Sequence, residues 1–282
     1  MNGIITQLCT TVQGEGPTAG SPCLLIRLGN CNLMCSWCDT KWTNNLKLNE
    51  VPNLKSINDS LPFKITSQKN FNIFVEMCKK HIDKYKIERA LITGGEPLMN
   101  IEFLKELCEK LTKKLKINFI EIETNGTLLN ENLCDSKFPA TYTQFNISPK
   151  LNPSYYKSSK IKSIDDIIQL FEKKHTVLMN LTTDFPTLIS ANYKFVYSRE
   201  IEKDLDNFIE RVCSDIPIII MPLTPDYSKY TSEFEFLQDY RKSCYDAIDY
   251  CLRGNYIFSP RLHIWVFNNF SHRNEFEDVI EK

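Results

Sequence analysis

Two periods of apolar residues alternate along this chain. Short apolar runs of strand length are followed by longer stretches in which apolar side chains return every three or four positions, the pattern of βα units on a parallel sheet. Pro22–Leu28 reads as a first buried strand, and Phe71, Phe74, Val75, Cys78, Ile82 and Tyr85 then fall at helical spacing. Residues 90–93 form a second strand, stopped by Gly94-Gly95-Glu96-Pro97. A helix follows, with Asn100 as its N-cap and Ile101, Leu104, Leu107, Cys108, Leu111 and Leu115 on one face. Residues 117–123 make a third strand, ended by Thr124-Asn125-Gly126. Further strands are expected at 144–148, 193–197, 216–221 and 256–266, with helices near 200–213 and 233–253, the second closed by Gly254.

Two stretches break this rhythm. Residues 44–67 are rich in Asn, Lys, Ser and Pro, and residues 153–190 carry only a short helical pattern near 164–171. Both read as insertions into a βα core. The expectation is therefore one domain over 1–282, with its core at about 1–267 and a tail at 268–282.

Composition narrows the class. Apolar residues make up 42% and charged residues 24% of 282, ordinary for a globular chain with a substantial core. A net charge of −1, with both signs spread along the chain, argues against a nucleic-acid partner. The opening Met1-Asn-Gly-Ile-Ile-Thr-Gln has no basic and apolar leader pattern, and no apolar run reaches membrane-spanning length. A cytoplasmic protein with no membrane partner is expected. The eleven cysteines are accordingly read as reduced thiols, most of them small buried hydrophobes. Cys9 and Cys23, close in sequence to a cysteine cluster at 31–38, read as core residues, with a fourth metal ligand as the alternative for either.

Three cysteines change the picture. Cys31-Asn-Leu-Met-Cys35-Ser-Trp-Cys38 places three thiols in eight residues, and Asp39-Thr40-Lys41-Trp42 beyond them adds neither Cys nor His. Iron–sulfur cubes usually take four cysteines, so a set of three leaves one iron for a small molecule. A zinc knuckle, which needs a closed set of four, and inert buried cysteines are the alternatives. Ligands of parallel α/β folds gather at the C-terminal ends of strands. The cysteine loop, Thr93-Gly-Gly-Glu-Pro97, Thr124-Asn-Gly126, Ser148-Pro149-Lys150 and Met221-Pro222-Leu223-Thr224 all sit at such ends, which argues for one shared pocket. Taken alone, Gly94-Gly95-Glu96-Pro97 is equally a turn or a close-approach surface for a polar ligand.

The cysteine loop followed by this glycine turn resembles the radical S-adenosylmethionine enzymes. That resemblance implies an incomplete (β/α) TIM-like barrel, an α/β fold whose parallel sheet carries loop insertions. It also implies a [4Fe–4S] cluster on Cys31, Cys35 and Cys38, whose open iron is chelated by S-adenosylmethionine. Cleavage of that cofactor then gives a 5′-deoxyadenosyl radical that abstracts hydrogen.

A denser set of matches is similar to the 7-carboxy-7-deazaguanine synthases. Gln13-Gly14-Glu15-Gly16-Pro17, Arg27, Cys31-Asn32-Leu33 and Trp37-Cys38-Asp39-Thr40 carry it, with Glu123-Thr-Asn-Gly126, Lys194-Phe-Val196 and Arg261-Leu-His263 further on. The resemblance implies conversion of 6-carboxy-5,6,7,8-tetrahydropterin to 7-carboxy-7-deazaguanine with loss of ammonia, on the route to queuosine-type bases. It sets Val12, Gln13, Gly14, Arg27 and Thr93 against this substrate, with Arg27, Glu15 and His263 as catalytic residues. Trp37, Cys38, Asp39, Gly95, Glu96, Ser148, Pro149, Lys150, Met221, Pro222, Leu223 and Thr224 match positions that hold S-adenosylmethionine. Thr40 matches a Mg2+ ligand. An electron donor such as flavodoxin or ferredoxin and a homodimer are also implied. The chemistry of the side chains agrees: the planar fork of Arg27 suits a carboxylate, Glu15 can accept from an aminopyrimidine edge, and a hydroxyl suits a hard octahedral cation. The competing readings are a radical activase that installs a glycyl radical on a partner protein, and a zinc-stabilised binding module. The activase explains neither Gln13-Gly-Glu-Gly16 nor Asp39-Thr40.

Overall fold

The structure, a computed structural model, describes residues 2–134, 141–213 and 215–267, and the chain divides into two compact units. The first comprises Met1–Thr11 and Pro22–Ala191, the second Val12–Ser21 and Asn192–Lys282. The tail at 268–282 lies outside the described residues.

The first unit runs β1 (Gly3–Val12), β2 (Pro22–Leu28), β3 (Phe63–Ile65), α1 (Gln68–Tyr85), β4 (Arg89–Gly94), α2 (Ile101–Leu115), β5 (Phe119–Thr124), β6 (Tyr142–Ile147) and α3 (Ile164–Asp184). Its strands lie in the order β3-β1-β2-β4-β5-β6. β2, β4, β5 and β6 are parallel, with Arg27 opposite Thr93 and Glu121 opposite Gln144, while β3 pairs antiparallel with β1. The helices start where the sequence offers caps. Asn100 accepts from Phe103 N at 3.0 Å, and Ser67 accepts from Asn70 N at 3.3 Å. The apolar stripes then bury Phe71, Phe74 and Cys78 on α1 and Phe103, Leu104, Leu107 and Cys108 on α2. Cys9 and Cys23 pack with Leu25 and Leu91 in the core.

Three parts of this unit depart from the sequence reading. β1 passed unread because Thr6, Gln7, Thr10 and Thr11 interrupt its apolar residues, although the whole strand to Thr11 is buried. The 44–67 stretch holds β3, and 153–190 is more than a short helix. α3 runs 21 residues from the Ser163–Asp166 capping box to Asp184, burying Ile167, Phe171, Leu178 and Leu181. Its second half was hidden by Thr176, Thr182 and Thr183, poor helix formers on an otherwise regular stripe.

The second unit comprises β7 (Ile189–Tyr197), α4 (Glu202–Val212), β8 (Ile218–Pro222), α5 (Glu233–Gly254), β9 (Ile257–Phe258) and α6 (Leu262–Phe267). β7, β8 and β9 are parallel neighbours, and the Tyr193, Phe195 and Phe208 rings interlock beneath them. The expected strand at 256–266 is instead β9 and α6. Pro260 cannot continue a ladder, so the chain leaves the sheet there and Ile264 is buried from a helix. α5 is capped by Asn255 in the left-handed region (φ 55°), one residue beyond Gly254. Among the described residues no helix is long and apolar enough to cross a membrane.

Candidate active site

The cysteine loop begins where β2 ends. Asn30 turns the chain with φ 71°, and its side chain brackets Leu46 at 2.9 and 2.8 Å, so the 44–67 stretch closes the base of the loop. The other flank is held from residues 153–157. Met34 N donates to the Tyr155 carbonyl at 2.8 Å, Ser36 Oγ meets the Tyr155 hydroxyl at 3.2 Å, and Lys157 Nζ donates to the Cys31 carbonyl at 3.3 Å. Trp37 stands edge-on to Tyr155.

Cys31, Cys35 and Cys38 are half-buried free thiols. Burial raises the Cys31 pKa and pushes Cys35 up to about 11, with Lys150 opposing and the neighbouring thiols adding to the Cys35 shift. The three sulfurs therefore share one electrostatic neighbourhood, and a coordinated metal would deprotonate them. Among the described residues no three His, Cys, Asp or Glu side chains are placed to hold a single metal ion. Three mutually sensing thiols on one loop fit a cube, in which each binds a different iron.

Gly94 and Gly95 have a steric reason. Gly94 adopts φ 126°, and a Cβ there would strike the Leu28 backbone, while one on Gly95 would strike the Asn30 carbonyl. Gly95 N donates to the Leu28 carbonyl at 2.9 Å and Glu96 N to the Asn30 carbonyl at 2.8 Å. The exit of β4 thus lies against the root of the cysteine loop. Glu96 is buried and accepts from Thr124 Oγ1 at 2.6 Å, Leu98 N at 2.9 Å and Asn125 N at 2.7 Å. Burial raises its pKa and these hydrogen bonds oppose the rise. Both of its oxygens are engaged by the protein, so Glu96 joins the β4 and β5 exits. Lys150 Nζ donates to Ser148 Oγ at 2.8 Å and lies 5.2 Å from the centre of the Trp37 ring, and Pro149 between them is buried. Thr40 Oγ1 is 3.7 Å from Cys38 Sγ and makes no cap bond to the 3₁₀ turn it precedes. Asp39 beside it is half-exposed.

Arg27 leaves β2 with its Nε donating to Gln7 Oε1 at 2.9 Å and its guanidinium 6.0 Å from the centre of the Trp42 ring. Gln7 escaped the sequence reading together with β1.

The second unit gathers a different set. In the loop after Val12, Gln13 is buried and bonded to Ser21 and Gly20 through its backbone, and its side chain accepts from Glu15 N at 3.3 Å. Glu15 sits between two buried cations: Lys194 Nζ at 3.0 Å and Arg261 Nε at 2.8 Å. His263 Nε2 stands 3.9 Å from the same carboxylate, and a Cβ on Gly14 would meet His263 Nδ1 at 2.6 Å. Burial pushes the Glu15 carboxyl up, but Lys194 and Arg261 outweigh it and hold the group well below the usual carboxylate range. Arg261 Nη1 donates to Thr224 Oγ1 at 2.5 Å; Met221 and Pro222 are buried at the end of β8, and Leu223 N donates to the Tyr197 carbonyl. Lys194 and Arg261 were not marked as site residues. The signal was present in Tyr193-Lys-Phe-Val-Tyr197, where a lysine inside an apolar run needs a buried counter-charge. Elsewhere in this unit a groove of about 520 Å³ is lined by Arg199, Glu202, Lys203, Asp206, Asp249 and Arg253, ion pairs that include no predicted site residue.

The family model of the radical SAM superfamily matches residues 25–190, a span that begins before Arg27 and contains the cysteine loop, the glycine turn and Lys150. The chain is 32% identical over 181 residues to the 7-carboxy-7-deazaguanine synthase of Buchnera aphidicola, covering 62% of this chain and 75% of that one. It is 30% identical over 203 residues to the 7-carboxy-7-deazaguanine synthase of Methanospirillum hungatei, covering 69% and 75%. The chain belongs to the 7-carboxy-7-deazaguanine synthases of the radical SAM superfamily. The crystal structure of QueE from Escherichia coli superposes with a TM-score of 0.55 at 20% identity, covering 92% of this chain and 94% of that one. The fold is accordingly α/β, with the mostly parallel sheet of the radical SAM type. Membership in this lyase family brings a [4Fe–4S] cluster and S-adenosylmethionine, and the Cys31–Cys35–Cys38 loop fits the first.

Proposed function

We propose that the chain converts 6-carboxy-5,6,7,8-tetrahydropterin to 7-carboxy-7-deazaguanine with loss of ammonia, and that its site residues act as follows. The observation that carries this assignment of roles is Glu15, a partly buried carboxylate kept ionised by Lys194 and Arg261. Arg261 and Lys194 each engage one Glu15 oxygen, and each carboxylate oxygen has a second lone pair that can accept an N–H from an aminopyrimidine edge. Gln13 and the Val12–Gly14 backbone sit beside it and offer further polar groups to such a ring.

Arg27 presents a planar guanidinium, oriented through its Nε by Gln7, whose fork suits the substrate carboxylate. Thr93, its register partner on β4, offers a hydroxyl alongside. The cluster and S-adenosylmethionine, when bound, supply electron transfer and hydrogen abstraction. Lys150, Ser148 and Trp37 form a cation-bearing wall beside the cysteine loop that suits the polar head and sulfonium-bearing body of that cofactor. Met221 to Thr224 offer a buried apolar end and one hydroxyl. His263, whose Nε2 stands 3.9 Å from the Glu15 carboxylate, lies beside the groups assigned to the substrate ring. The Thr40 hydroxyl, without a cap bond, is offered to magnesium. The family resemblance further supports an electron donor of the flavodoxin or ferredoxin type and a homodimer.

Anaerobic incubation with reductant, S-adenosylmethionine, magnesium and the carboxytetrahydropterin should release 7-carboxy-7-deazaguanine and ammonia. Absence of product from protein carrying full iron and sulfide would refute the substrate. Chelation of magnesium, or Thr40→Val, should lower turnover while leaving the iron content unchanged.

A further inference from the structure

The Thr124-Asn125-Gly126 turn does more than end a strand. Asn125 is 7% exposed, and its side-chain amide has a determined orientation. Oδ1 accepts from Thr127 N at 3.0 Å and from Thr127 Oγ1 at 2.6 Å, so the nitrogen end must face the other way. That end meets Asn32 Oδ1 at 2.9 Å and Cys31 Sγ at 3.8 Å. Asn32 Nδ2 in turn donates to Thr127 Oγ1 at 2.8 Å, which closes a ring of three side chains against the first cysteine. The backbone of Asn125 is fixed as well, its N–H held by buried Glu96 at 2.7 Å. A simple Asx turn uses only the oxygen of the amide. Here the two N–H groups are also directed, one to Asn32 and one to sulfur.

We propose that Asn125 is a positioning residue for the cluster, its amide donating an N–H···S hydrogen bond to Cys31 that raises the reduction potential of the bound cluster. The inference rests on the reading of Cys31, Cys35 and Cys38 as cluster ligands, and not on the identity of the substrate. Leu33 N also donates to Cys31 Sγ, at 3.4 Å, so this thiolate receives two N–H donors. Donors to a ligating sulfur draw electron density from it and stabilise the reduced, more negative cluster.

The test is a potentiometric titration of anaerobically reconstituted protein, followed by the electron paramagnetic resonance of the reduced cluster. Asn125→Leu removes the donor at similar volume, and Asn125→Asp keeps the acceptor for Thr127 while replacing the donor. Both should keep wild-type iron and sulfide but reduce at a more negative midpoint, before any S-adenosylmethionine is added. Thr127→Val, which frees the amide without removing it, should shift the midpoint less and in the same direction. An unmoved midpoint in fully loaded variants overturns the proposal, even if their melting temperature falls. A shift that emerges only after S-adenosylmethionine is added also overturns it, because Asn125 would then be acting on the cofactor. If both position-125 variants lose the cluster, Thr127→Val decides, and an unchanged midpoint there refutes the idea. Wild-type protein that binds no iron and sulfide would instead refute the ligand assignment itself.

Discussion

At the scale of single residues, the molecule separates what is close in sequence from what is only close in space. Cys31, Cys35 and Cys38 were legible because one loop carries all three. Glu15 was singled out through the resemblance carried by Gln13–Pro17, but its partners were not, since Lys194 and Arg261 lie 179 and 246 positions away. Glu15→Gln would remove the carboxylate charge shared by two buried cations and should destabilise the protein by about 3 kcal/mol. Adding Lys194→Met should recover part of that loss, and denaturant unfolding of the single and double variants measures it. Arg27→Lys keeps the charge and loses the fork, so KM for the carboxylated substrate should rise about tenfold to hundredfold. An unchanged KM would remove Arg27 from carboxylate recognition.

At the scale of elements, the alternation of strand and helix was readable wherever apolar periodicity was undiluted, as in α1, α2 and β4. It failed where polar residues are buried for reasons outside their own segment. β1 buries Gln7 to orient Arg27, and a strand pattern broken by such a residue does not announce itself. The two stretches read as insertions turned out to hold the cysteine loop from either side, a role no local pattern could reveal. Gly94 and Gly95 were read as a turn or a ligand surface, and close packing against Leu28 and Asn30 is by itself enough to require glycine at both. Gly95→Ala should force β4 away from the loop, costing roughly 1–3 kcal/mol and lowering the iron retained after reconstitution. Leu178→Ala should cost about 2–5 kcal/mol, because the second half of α3 buries this side chain completely; denaturant unfolding measures the loss, and no loss would refute the burial.

At the scale of the whole molecule, a net charge of −1 conceals concentrated local charge. The Glu15 carboxyl has its pKa depressed in the folded state, so its contribution to stability is present above the ordinary carboxylate range and is lost as pH falls through the folded value. The melting temperature should therefore drop as pH falls below about 4, and the drop should be shallower in Glu15→Gln. Parallel slopes for the two proteins would remove Glu15 from the acid response. The family and its fold class were visible from the ordered motifs, because βα units put chemistry at strand ends. The hydrogen-bonded frame behind those motifs was not, because it is built from asparagines, threonines and a tyrosine that carry no pattern of their own.

That frame also orders events during synthesis. The three cysteines leave the ribosome early, but Tyr155 and Lys157, which grip their loop, follow Ser36 and Cys31 by 119 and 126 residues. A chain stopped before residue 153 has all three loop cysteines and the Leu46 and Asn125 contacts, but lacks the flank formed by Tyr155 and Lys157. A fragment that ends before residue 153 should therefore retain less iron after reconstitution than the full chain, and iron and sulfide analysis of the two checks it.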